Sequence, residues 1–69
     1  MPCDEKERLV SEYEAATNRF AASVTDLQRK MGVSSREEYE GLQRVVTEAR
    51  VKSEQSRLAL EQHVATHRC

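Results

Sequence analysis

The chain closes on ALEQHVATHRC, Ala59 to Cys69, where two histidines stand four residues apart and a cysteine follows. The other cysteine, Cys3, is at the opposite end. Zinc prefers cysteine and histidine in closed tetrahedral sites of four ligands. On a helix His63 and His67 share one face, because residues i and i+4 lie one above the other. Together with Cys3 and Cys69 they make a Cys2His2 set, provided the fold brings the two termini together. Zinc bound there would stabilise the fold directly, since binding energy at a structural site is folding energy. Two other chemistries compete for the same residues. Cys3 and Cys69 can form a disulfide, closing nearly the whole chain into one loop and contributing a few kcal/mol on the chain-entropy view. Alternatively the thiols stay free, and the imidazoles only complement the carbonyl end of a helix dipole. All three remain open at the level of sequence.

Whether the termini meet depends on the elements between them. From Asp4 to Met31 there is no Gly or Pro, and Glu, Arg, Ala, Leu and Gln dominate, all good helix formers. Asp4 and Glu7 place acidic charge in a first turn. The segment KMGVSSREEYEGL then breaks the pattern. Gly32 can take the left-handed conformation that ends a helix. Ser34 and Ser35 are each followed three residues on by a glutamate, so either can open a second helix with a capping box. The sequence predicts one domain over residues 1–69, with helices at about 4–31 and 36–68 and a loop at 32–35. Gly41 sits inside the second helix at a cost of about 1 kcal/mol relative to alanine.

The apolar period sets the architecture. In the first helix Val10, Tyr13, Thr17, Phe20, Val24, Leu27 and Met31 alternate by three and four. In the second, Tyr39, Leu42, Val46, Ala49, Ser53, Ser56 and Leu60 do the same. Such a repeat marks helices packed at a shallow angle, as in coiled coils and bundles. A short loop makes the two antiparallel. The expected fold is therefore all-α, a coiled-coil-like antiparallel two-helix hairpin. Pairing layers outward from the loop sets Leu27 against Tyr39 and Leu42, and Phe20 against Val46 and Ala49. Tyr13 follows over Ser53 and Ser56, and Val10 over Ser56 and Leu60. Lys6 comes next, and then Cys3 beside His63 and His67.

That seam is thin, and the hydrophobic share of 38% with only three aromatic residues leaves little else to bury. Domains this small usually need a staple, a metal or a partner subunit. Leu9 and Ala16 beside the first stripe, and Val45 and Ala59 beside the second, widen it enough to pack a second hairpin. Val51 and Leu58 lie on the far face. These six residues are the expected interface of a homodimeric four-helix bundle, although Val51 and Leu58 are also readable as single exposed apolar residues.

Eleven Lys and Arg against twelve Asp and Glu, evenly interspersed, give a formal charge of −1. A nucleic-acid binder would show a basic face, and an interfacial membrane helix a Lys/Arg-rich polar side. Neither is visible, and no segment approaches the ~18 apolar residues of a membrane span. MPCDEKER has no apolar run behind it, so a secretory signal is not expected. The expected compartment is the cytoplasm, where thiols stay reduced. Pairs spaced i, i+4, namely Asp4–Arg8, Asp26–Lys30, Glu40–Arg44, Glu48–Lys52 and Arg57–Glu61, suit a solvated helix surface. A slim rod offers no hollow where acid, base and nucleophile converge, so no enzyme is expected. The sequence points instead to a structural or interaction module, partnering itself or another protein through its helix faces, or to a small zinc-binding protein.

CDEKERLVSEYEAATNRF and EARVKSEQSRLALEQHVATHRC, taken together, resemble a type of short bacterial protein of unassigned function. Such proteins begin with a cysteine and a Glu-Lys-x-Arg-Leu segment and end Leu-Glu-x-His-x3-His-x-Cys. The matching positions are Cys3, Glu5, Lys6, Arg8, Leu9, Leu60, Glu61, His63, His67 and Cys69. The resemblance spans nearly the full length and implies a stand-alone helical hairpin, with no activity or ligand to carry over.

Overall fold

The computed structural model describes residues 4–67. Two helices make up the fold, α1 at Asp4–Lys30 and α2 at Arg36–His67. They lie antiparallel in a rod whose Cα atoms span 52 × 14 × 11 Å. The long dimension matches the rise of α2, about 48 Å at 1.5 Å per residue. No helix among the described residues is long and apolar enough to cross a membrane.

The turn between the helices is built as its residues require. The Lys30 carbonyl accepts from the Val33 amide at 3.2 Å and the Ser34 amide at 3.1 Å. The Ser34 hydroxyl donates to the same oxygen at 2.8 Å. Gly32 stands third in this turn with φ +84°, a conformation in which a Cβ would be strained. Met31 thus falls in the turn rather than in the helix. Of the two candidate caps, Ser35 is the one used. Its hydroxyl accepts from the Glu38 amide at 3.2 Å, and its carbonyl accepts the first helical bond, from Tyr39 at 2.9 Å.

On α2 the predicted stripe is the inner one: Tyr39, Leu42, Val46, Ser53, Ser56 and Leu60 are half-buried, and Ala49 is buried. On α1 the seam runs elsewhere. Its most buried residues are Leu9 at 9%, Ala16 at 7% and Ser23 at 7% relative exposure, one helical face repeating every seven residues. Tyr13, Phe20 and Leu27 flank that line, half-buried as predicted, but Thr17 and Met31 are exposed. Size decides this register. At Ala16 and Ser23 the small side chains let the helices approach closely, whereas Thr17 and Val24 in their place would hold them further apart. The Ser23 hydroxyl donates to the Phe20 carbonyl at 2.7 Å, so its polar group enters the seam already satisfied.

Of the residues expected at an interface, Leu9 and Ala16 are buried along the chain's own seam. Val45, Val51, Leu58 and Ala59 are exposed, but on α2 alone and on two different faces.

The surface charges pair differently from the sequence expectation at several points. Arg57–Glu61 forms at 2.7 Å. Arg8 turns from Asp4 to Glu5 at 3.7 Å and Glu12 at 3.3 Å, and Glu40 pairs with Arg36 at 3.1 Å instead of Arg44. Asp26–Lys30 and Glu48–Lys52 form no pair among the described residues. All these side chains are exposed, and such pairs contribute about 0.2–0.5 kcal/mol each.

Candidate functional site

The two histidines stand at the open end of the rod, on the last two turns of α2. Their ring centroids are 4.5 Å apart, with planes tilted by 33°, as the i, i+4 spacing requires. Their surroundings differ. His63 is buried at 8% exposure, continuing the inner line of Ala49 and Ser56, while His67 is exposed. From α1, Glu5 brings a carboxylate oxygen to 3.7 Å from Nδ1 of His63, an ion pair when the ring is protonated. Lys6, the next residue, is half-buried.

The arrangement joins the first turn of α1 to the end of α2, as the hairpin topology demands. It brings His63 and His67 together. Cys3 and Cys69, the proposed thiolate partners, lie outside the described residues. Among the described residues no group of three or more His, Cys, Asp and Glu side chains could hold a metal ion. Glu5 is the residue that sequence reasoning missed. Its signal was available, because an antiparallel partner of His63 must come from the first turn of α1, where Glu5 precedes Lys6.

Along the rod the two broad faces differ in chemistry. One carries a groove lined by Glu12, Ala15, Ala16 and Arg19 of α1 with Lys52 and Ser56 of α2. It continues over Val45, Glu48 and Ala49. Small residues form its floor and charged ones its rims, and both parts are open to solvent. Helical geometry places Val10, Thr17 and Val24 on the opposite face, one position round from the buried line of α1. There Val10 and Val24 are half-buried and Thr17 is exposed. On the α2 side Val64 is 37% exposed.

Among the described residues no large side chain is fully buried anywhere in the molecule. Of the large apolar groups of α1, Leu9 is buried, and Val10, Tyr13, Phe20, Val24 and Leu27 are half-buried. Comparison with family models, curated proteins and solved structures gives no match.

Proposed function

We propose that the chain is a non-enzymatic helical interaction module that works as a homodimer, two hairpins packing into a four-helix bundle. The observation that carries this reading is the incomplete core. Leu9, Ala16 and Ala49 are its buried apolar residues, while Phe20, Leu27, Val46 and Leu60 are half-buried. A chain of 69 residues with so little enclosed apolar surface gains stability by covering those side chains with another copy. No groove described along the rod gathers a nucleophile with an acid and a base, which supports a binding role over a catalytic one. Mixed charge on every face argues against nucleic acid and membrane surfaces as partners.

Light scattering across a range of concentrations tests the proposal. A solution mass near twice the 7.9 kDa of one chain supports it. A mass of 7.9 kDa at every concentration up to the millimolar range overturns it.

A second reading is a small zinc protein in which Cys3, His63, His67 and Cys69 clamp the termini. The pairing of His63 and His67 beside the first turn of α1 favours it. Thiolate ligation would also suit a reducing compartment. About one zinc per chain, by elemental analysis of untagged protein, supports the clamp. No zinc, together with a melting point that EDTA leaves unmoved, overturns it.

A further inference from the structure

We infer that the second copy docks on the face bearing Val10, Thr17 and Val24, with a twofold axis crossing the rod beside Thr17 so that the two turns lie at opposite ends. This rests on the homodimer reading above and specifies its geometry.

The first support is an offset within α1. Its large apolar residues, Leu9, Val10, Tyr13, Phe20, Val24 and Leu27, centre to one side of its contact line with α2, which runs along Leu9, Ala16 and Ser23 with Tyr13, Phe20 and Leu27 beside them. At 100° per residue the two directions differ by about 40° round the helix. A helix serving one seam would have them coincide. The displaced stripe serves a second seam, on the face it leans toward. On the other broad face Glu12, Arg19, Glu48 and Lys52 line the groove and would lose hydration under a packed helix pair.

Area gives the second support. A rod of 52 × 14 Å offers a side of roughly 700 Å², close to the ~800 Å² per partner of a stable specific interface. A full-length, side-by-side contact is needed to reach it.

Self-complementarity supplies the axis. A twofold contact places the same patch against itself, reversed. Reversing α1 about Thr17 sets Val10 against Val24 and Tyr13 near Phe20. The acidic Glu7 and Glu14 at the edge then meet Gln28 and Ala21. On α2, Arg50 comes beside Glu54 of the second copy. The alternative, with both turns at one end, lays α1 over α2 of the other copy. The Glu5–His63 contact and the groove shared by Ala16, Ala49 and Lys52 set the heights of the two helices. At those heights Glu7 and Glu14 would face Glu61 and Glu54. Like charges in register disfavour that arrangement.

Sedimentation equilibrium on three full-length variants tests the inference. Thr17→Glu places two carboxylates on the twofold axis, yet Thr17 is exposed in the single hairpin. The dimer dissociation constant should rise at least about 100-fold with helical circular dichroism unchanged. Val45→Glu, on the opposite face, should leave it within about threefold. Thr17→Cys, in a background with Cys3→Ser and Cys69→Ser, should oxidise readily to a disulfide-linked dimer, because the two positions face each other. A wild-type dimer that Thr17→Glu leaves intact overturns the face while the homodimer reading stands. Failure of Thr17→Cys to cross-link in a dimeric protein overturns the axis. A wild-type chain that is monomeric throughout overturns both.

Discussion

A carboxylate oxygen of Glu5, on the first turn of α1, stands 3.7 Å from Nδ1 of His63, near the end of α2. The two partners are unequal: the His63 side chain is 6% exposed and that of Glu5 57%. Packing and charge therefore separate on substitution. Glu5→Gln should change stability by less than about 0.5 kcal/mol, since a pair with one solvated member is screened. His63→Ala removes a buried ring from a seam that cannot collapse far and should cost about 1–3 kcal/mol. Urea denaturation of both variants distinguishes them. Equal losses would mean that charge, not packing, holds this end.

Ala16 and Ala49 are each 7% exposed and share one groove. Leucine at either position pushes the helices apart along their closest line. Ala16→Leu or Ala49→Leu should each destabilise the hairpin by about 1–3 kcal/mol through overpacking. Ala22→Leu, on an exposed position, should stay within about 0.5 kcal/mol of the parent. Thermal unfolding at one protein concentration compares the three.

The two glycines should respond in opposite directions. A Cβ on either meets nothing within 4 Å, but Gly32 has φ +84° and Gly41 has ordinary helical geometry. Gly32→Ala should cost about 1 kcal/mol in left-handed strain. Gly41→Ala should gain about 0.5–1 kcal/mol, from helix propensity and a less flexible unfolded chain. Chemical denaturation reads both signs directly.

Ser35 holds the start of α2 through its hydroxyl, 3.2 Å from the Glu38 amide. Ser35→Ala should cost about 1 kcal/mol, and Ser35→Asp should restore most of it. Ser34→Ala should cost less, since its hydroxyl only adds a third bond to a carbonyl that already accepts two amides. Melting temperatures of the three variants provide the comparison.

The hairpin was legible in the sequence because its signals are local. Gly32, the serine caps and the lack of Gly or Pro from Asp4 to Met31 mark two helices and one reversal, and a short turn leaves them only the antiparallel arrangement. The α2 stripe was also legible, since Tyr39, Leu42, Val46 and Leu60 are its large inward residues and the other large apolar ones, Val45, Val51 and Leu58, are split between two faces. On α1 two lines share Tyr13, Phe20 and Leu27. One adds Val10 and Val24, and the other adds Leu9, Ala16 and Ser23. Hydrophobicity selects the first, but close approach of two helices selects the second. No rule that scores residues one helix at a time can see this, because it depends on the size of what lies opposite. Glu5 went unseen for the same reason: its place beside His63 follows from the register between helices, not from any pattern within α1.

The chain reverses direction once, at Gly32, and that single bend orders events along the rod. Neighbours near the bend are close in sequence, whereas Glu5 and His63 come from opposite ends of the chain, so the entropy of closing each layer rises with distance from the bend. The helices are therefore expected to zip up from the Gly32 end, with the histidine pair the last part to close and the first to fray. Amide hydrogen exchange should record this as protection that declines along both helices from the turn-proximal layers toward Glu5 and His63.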